Sequence, residues 1–187
     1  MLRSVKLLSA TRRSRVNPSD LIKWRIERLA SSHERSSFHC GESSLDEFLQ
    51  RLASQYERKD ICRTFVAVTG EHAVVQGYYS LSTGSVSYPT LPVETSRKLP
   101  RHPVPVAHLG RLAVDKKAQE KGLGAILLID ALKRCIQFSE QIGVFAVEVH
   151  ALNDNARRFY VHFGFVELTD DPLHLYLPMR QVRKLFP

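Results

Sequence analysis

The residues with the clearest chemical potential lie in Leu112-Ala113-Val114-Asp115-Lys116-Lys117-Ala118-Gln119-Glu120-Lys121-Gly122-Leu123-Gly124-Ala125. An apolar strand runs through a turn into an apolar helix. Glycines at 122 and 124 let backbone N–H groups approach a ligand without a Cβ in the way. A helix N-terminus adds free donors and about half a positive charge. Together they make a phosphate cradle, and Lys116, Lys117 and Lys121 raise the local potential. The spacing is not G-x-G-x-x-G and no G-K-[ST] follows, so neither a dinucleotide fold nor a P-loop is supported. Taken alone, the same residues also suit a plain strand-to-helix turn. Glu148 and His150, near the end of a later strand, are either bases or ordinary strand residues.

These residues need elements to hold them. Trp24 to Leu29 alternates as a strand does. Ser44-Leu45-Asp46-Glu47 reads as a capping box. Leu45, Phe48, Leu49, Leu52, Ala53 and Tyr56 then share one face of a helix ending near Arg58. Thr64–Val68 and Val74–Ser82 read as strands joined at Gly70. Five of the nine prolines fall between Pro89 and Pro105, which predicts a loop with one short helix near Val93–Lys98. A strand from His108 to Val114 leads to a helix from Gly122 to Phe138, and Val144–His150 follows as a strand. Asn153 caps a further helix that Gly164 stops. Phe165–Leu168 and His174–Leu177 make a closing hairpin. This order predicts an α/β fold with helices on both faces of a mixed sheet and a parallel crossover between His108 and His150.

The 187 residues are 43% hydrophobic and 25% charged, which is ordinary globular usage for one domain. The longest apolar run is far short of the roughly 20 residues that cross a membrane. Three cysteines, Cys40, Cys62 and Cys135, are scattered and odd in number. That argues against a disulfide scaffold and for a reducing compartment. His33 and His39, like His102 and His108, are spaced unlike metal ligands, so no metal is expected. Six of the eight net positive charges fall in residues 1–28. Such an arm suits a polyanionic partner or a solvated tail, and its Arg and Ser content also fits a transit peptide.

Gln119-x-x-Gly122-x-Gly124 after Gly110-Arg111-Leu112-Ala113-Val114 resembles the acetyl-CoA motif of the GNAT acetyltransferases. Asn153-x-x-Ala156-x-x-Phe159-Tyr160-x-x-x-Gly164-Phe165 is similar to that superfamily's second signature. The likeness sharpens at Arg35-Ser36-Ser37-Phe38-x-Cys40-Gly41, Leu45-x-x-Phe48-Leu49, Arg63-Thr64-Phe65-Val66-Ala67, Gly77-Tyr78-Tyr79-Ser80-Leu81 and Leu109-Gly110-Arg111-Leu112-Ala113-Val114-Asp115. These stretches resemble the acetyltransferase toxins of bacterial toxin–antitoxin modules. The resemblance implies a single GNAT-type domain over residues 26–187, with a mostly antiparallel sheet and a splayed parallel pair. Residues 1–25 form a basic extension that it does not explain. A bacterial family also speaks against a transit peptide.

Further implications concern chemistry. The family acetylates the α-amino group of aminoacyl-tRNA with acetyl-CoA, which blocks translation in the cytoplasm. Its antitoxins are ribbon–helix–helix proteins, and several members are homodimers. By the same resemblance, backbone groups of Leu112 and Val114 hold the pantetheine. Gln119, Lys121, Gly122, Leu123, Gly124 and Ala125 take the pyrophosphate, and Asn153 contacts the pantetheine. Tyr160 is the general acid for the departing thiolate, since a phenol with a pKa of about 10 carries its proton at neutral pH. The surrounding Phe159, Phe163 and Phe165 equally suit a core tyrosine. Arg35, Arg58, Lys59, Arg63, Arg97, Lys98 and Arg101 are candidate phosphate contacts. The alternatives are an acetyltransferase acting on a protein N-terminus or small amine, and a silent module of the same fold that only binds partners.

Overall fold

A computed structural model describes residues 24–70 and 73–186. The basic extension falls outside them except for Trp24 and Arg25. The strands are β1 (Arg25–Arg28), β2 (Arg63–Thr69), β3 (Val74–Val86), β4 (Val104–Val114), β5 (Ala146–His150), β6 (Val166–Glu167) and β7 (His174–Pro178). They form one sheet in the order β1-β2-β3-β4-β5-β7-β6. Every pairing is antiparallel except β4 with β5. The helices are α1 (Ser43–Glu47), α2 (Ala53–Arg58), α3 (Val93–Ser96), α4 (Leu123–Ser139), α5 (Asp154–His162) and α6 (Met179–Lys184). A π-helical segment, Phe48–Leu52, joins α1 to α2.

Alternate strand residues feed different cores, as the two-residue period of a strand requires. Ala67, Tyr79, Leu109, Val147, Val149, Leu175 and Leu177 pack with α4, α5 and α6. Val66, Val68, Tyr78 and Ala113 pack on the opposite face with Phe48, Leu49 and Ala53. A third cluster on that second face joins Val104, Val106, Ala146 and Tyr176 to Leu91. The predicted two-faced mixed sheet is therefore what forms.

Three local expectations are corrected. The capping box is not made: Glu42 precedes α1 and no side chain caps it. Asp46 instead accepts hydrogen bonds from Cys40 N at 2.8 Å and His39 Nδ1 at 2.7 Å. Ser44 lies inside the first turn rather than at the cap, and Glu47 Oε1 faces Arg51 at 3.5 Å. Second, β4 begins at Val104 rather than His108. Pro105 lacks an N–H but keeps its carbonyl, which accepts from Phe145 N at 2.8 Å. Third, Met179–Lys184 form α6, a stretch to which the sequence pattern assigns no element. Its buried Met179 and Val182 join the α4 core.

Helix α4 lies close against the sheet because Gly77 has no side chain. A Cβ there would stand 2.9 Å from Leu127 Cδ1 and 3.2 Å from Leu123 Cδ2. Overpacking of this kind costs about 1–3 kcal/mol. Gly77→Val is expected to lower the melting temperature by roughly 3–10 °C for a chain of this size. Because it pushes at the first turn of α4, it should also weaken acetyl-CoA binding. Differential scanning fluorimetry with and without acetyl-CoA measures both effects.

Candidate active site

The parallel ladder between β4 and β5 is short. Val106, Ala107 and His108 pair with Ala146, Val147 and Glu148, and the pairing then ends. The β3–β4 register shifts between Ser80 and Leu81, which leaves Gly110 as an extra residue in β4. A bulge bends the strand that carries it, and here β4 leaves β5 just past the last pair. Asp115 N donates to Gln76 O on β3 at 2.8 Å. Antiparallel bonding alternates along a strand, so Leu112 and Val114 turn their N–H and C=O groups the other way, into the gap. Their side chains pack against the core on the α4 face.

The loop from β4 to α4 is tied down before any ligand arrives. Asp115 is buried, and its carboxylate accepts from His39 N and Lys117 N, each at 2.9 Å. Lys116 N donates to His39 O at 2.9 Å. Gln119 Nε2 donates to Cys40 O at 2.9 Å and Val114 O at 3.0 Å, and Lys121 Nζ donates to Lys117 O at 2.6 Å. The Gln119 and Lys121 side chains thus brace the loop. Gly122 sits at φ +83°, a conformation that L side chains strain to adopt. Among the described residues, the N–H groups of residues 120–125 have no acceptor, as expected at a helix start. A Cβ on Gly124 would lie 3.8 Å from Phe159 and 3.9 Å from Val114. The glycine motif, the open edge of β4 and helix α5 therefore meet.

Asn153 caps α5, its Oδ1 accepting from Ala156 N at 3.0 Å. The other end closes as a Schellman turn. Phe165 N donates to Tyr160 O at 3.2 Å and Gly164 N to Val161 O at 3.0 Å, with Gly164 at φ +89°. This turn folds Phe165 back onto the Tyr160 ring, with centroids 5.4 Å apart. Tyr160 is 6% exposed and its hydroxyl has no hydrogen-bond partner among the described residues. Burial pushes its pKa above the ordinary value.

The opposite face of the gap carries a polar group that spacing along the sequence did not reveal. His108 Nδ1 contacts Glu148 Oε2, His174 Nε2 lies 2.8 Å from Glu148 Oε1, and His174 Nδ1 lies 2.9 Å from Asp170. His150 stacks on His174 at 4.6 Å. Glu148 is buried. Its carboxyl sits below the usual range: burial alone would raise it, but the two imidazoles outweigh burial. Arg111 lies over Phe48, 3.8 Å from the ring centroid. Of the candidate phosphate contacts, Arg63 pairs with Asp60 and Glu57, while Arg58, Lys59, Arg97, Lys98 and Arg101 are exposed. A cavity of about 490 Å³ opens away from the cradle, between Cys62, Phe65 and Leu81 and the C-terminal half of α4.

A central sheet split beside a glycine-rich helix start, with Tyr160 buried on the neighbouring helix α5, fits an acyltransferase of the acetyl-CoA-binding class. The chain belongs to the acetyltransferase (GNAT) family, whose sequence profile matches residues 26–165. It is 45% identical over 158 residues to the tRNA-acetylating toxin of Mycobacterium tuberculosis (strain ATCC 25618 / H37Rv), covering 84% of this chain and 93% of that protein. Its fold is similar to AtaT complexed with acetyl-methionyl-tRNAfMet, with a TM-score of 0.82, 30% identity, and 88% and 99% of the two chains covered. It is also similar to a tyrosine-to-phenylalanine variant of AtaT bound to acetyl-CoA and the C-terminus of the antitoxin AtaR. There the TM-score is 0.77 and identity 27%, with 88% and 98% covered. No helix among the described residues is long and apolar enough to cross a membrane.

The raised value at Tyr160 has a consequence for stability. A tyrosine whose folded pKa exceeds its unfolded value of about 10 stabilises the fold below that pH and loses this contribution as pH climbs past it. Tyr78 and Tyr79 are raised in the same direction, also by burial first. Urea unfolding between pH 9 and 11 should therefore show a steep loss of stability. Tyr160→Phe should lose less over that window, and equal slopes for the two proteins would contradict the assignment.

Proposed function

We propose that this chain is an acetyl-CoA-dependent toxin that acetylates the α-amino group of aminoacyl-tRNA and so blocks translation. The observation that carries the reading is the opening of the sheet after His108 and Glu148, between a cradle of free N–H groups and a buried tyrosine. The close likeness to a tRNA-acetylating toxin supports the substrate. In this reading Gly122, Leu123, Gly124 and Ala125 offer backbone N–H groups to the pyrophosphate, and Lys121 adds charge beside it. Gln119 acts through the loop it braces. Leu112 and Val114 pair with the pantetheine as a neighbouring strand would, and Asn153 flanks it from α5.

A backbone N–H in the gap stabilises the oxyanion, an effect worth roughly 3 kcal/mol in comparable sites. Tyr160 gives its proton to the leaving sulfur, and an apolar wall keeps that hydroxyl protonated until charge develops. The substrate suits this equipment. A free α-amine has a pKa of about 8, against about 10.4 for a lysine side chain, so much of it is neutral near physiological pH. A ribbon–helix–helix antitoxin, a homodimeric state and a cytoplasmic setting complete the reading; the antitoxin complex of the AtaT variant supports an antitoxin partner.

Tyr160→Phe should fold, bind acetyl-CoA with near-normal affinity and lose roughly 10²–10⁴-fold in turnover. Purified protein is tested for acetyl transfer to charged and uncharged tRNA, alongside a melt with saturating acetyl-CoA. A variant with full turnover on charged tRNA would remove Tyr160 from the chemistry. A wild-type protein whose melt ignores acetyl-CoA would leave only a silent binding module.

The basic extension, which includes Arg12, Arg13 and Arg15, is separable from this machinery. Deleting residues 1–22 should weaken tRNA affinity and flatten its salt dependence, since each lost phosphate contact lowers the slope by about one. Acetylation of a small amine mimic should survive. Loss of that activity would make the extension part of the fold.

A further inference from the structure

We propose that His108 is a catalytic residue, the acceptor of the proton that the substrate's α-ammonium group must lose, with Glu148 as its positioning carboxylate. The inference rests on the aminoacyl-tRNA reading above and adds a base to it.

Four observations carry it. His108 and Glu148 form the last parallel pair before the gap opens, so they stand at its closed end. The cradle lies at the other, open end, beyond Val114. An extended pantetheine running from one towards the other brings its acyl end to His108. Second, the ring is aimed. Nδ1 is held by Glu148 Oε2, and a Cβ on Gly110 would stand 3.2 Å from His108 Nε2. Nε2 therefore lies over Gly110, two residues past the last pair, where any side chain would crowd the ring. Third, the tautomer is set. An ionised carboxylate accepts and does not donate, so Nδ1 carries the hydrogen and Nε2 keeps a free lone pair. This is the arrangement by which a carboxylate orients a histidine base in other acyl-transfer enzymes. Fourth, the side chain is 36% exposed, which lets an amine reach it from solvent.

Glu148 is itself held in place. Its second oxygen meets His174, which Asp170 holds from behind. His150 stacks on His174 and reaches Asp171 at 3.2 Å. On the other side β3 sets Ser82 opposite His108, which brings no charge. These are the groups facing the dyad from β3, β5, β7 and the turn before β7. His108 and Glu148 lie on the sheet face away from α5, so Tyr160 and His108 approach the gap from opposite sides.

The protons balance. The ammonium R–NH3+ gives one proton to His108 Nε2, and the neutral nitrogen attacks the thioester carbon. The C–N bond forms and the C–S bond breaks. Tyr160 protonates the sulfur, and its proton is replaced by the second one leaving nitrogen. His108 passes its proton to solvent, so each ammonium acetylated releases one proton together with free CoA.

The test is the pH dependence of kcat/KM for wild type, His108→Gln and Glu148→Gln on charged tRNA, in buffer containing a chelator. Without the acceptor, only amine that is already neutral can react. One pH unit below the amine's own pKa that is about a tenth of it. The acid limb of His108→Gln should therefore shift upward, with a loss of about tenfold near pH 7 that fades above pH 8.5. Glu148→Gln should shift the limb the same way. His108→Ala should recover activity at low pH when imidazole is added, which a merely structural histidine would not allow. Melting temperature and acetyl-CoA affinity of the His108 variants should stay near wild type. An unmoved limb, a loss equal at every pH, or no imidazole rescue overturns the proposal while the substrate reading stands. A wild-type protein inactive on charged tRNA at every pH overturns the substrate reading and this proposal with it.

Discussion

A parallel pair of strands in the middle of a sheet ordinarily stays paired, because buried backbone groups left without partners cost about 1–3 kcal/mol each. In this protein β4 and β5 hold three registered pairs and then part. The rest of the fold keeps them apart at that point. The bulge at Gly110 turns β4 away. On its far side β5 stays fully paired with β7, from Ala146 to His150. The end of β4 is clipped to the loop at His39 by the buried Asp115 carboxylate. Helix α4, seated on Gly77, then starts beside the widening edge. The gap is thus a strand-shaped slot whose walls are peptide groups, suited to an extended ligand rich in amides.

A slot through a sheet opens to both faces, and the proposed acid and base lie on different ones. Helix α5 lies on one face and carries Tyr160, a buried residue whose pKa burial raises. The other face is covered by α1, α2 and their π segment at one end and by the segment around Leu91 at the other. Between those covers His108, Glu148 and His174 remain. In the proposed mechanism Tyr160 and the His108 group therefore serve the slot from opposite sides. They cannot neutralise each other by direct contact, which two such groups on one face would be free to do.

Much of this was legible in the sequence, and what was legible was local. The glycines of the cradle, the Asn153 cap and the Gly164 stop each act within a few residues, and the backbone angles at Gly122 and Gly164 bear out the turns read there. The helical face from Leu45 to Tyr56 packs as one cluster even though its middle winds as a π-helix. Competing long-range bonds account for the failures. The box of Ser44 and Glu47 does not form, because the helix already starts at Ser43 while Asp46 holds the loop at His39 and Cys40. Val104 to Ala107 were read as loop because of Pro103 and Pro105, yet β3 and β5 make them strand. The dyad of His108 and Glu148 spans 40 residues. No periodicity within one element could pair them, because the pairing is a property of strand register.

The cradle's own bonds bear on affinity. Loops that order only on binding subtract from the free energy of association. Here Gln119 and Lys121 are the polar side chains that charge and motif alike suggested for direct phosphate contact, and both already hold backbone carbonyls of the loop. Their work is done before the ligand arrives. The left-handed φ at Gly122 is likewise settled by folding, and the N–H groups of residues 120–125 have no acceptor among the described residues. Contacts through backbone amides also do not depend on which rotamer a lysine adopts. The shape of this loop is therefore fixed by its own bonds, through the Gln119 brace and the left-handed Gly122.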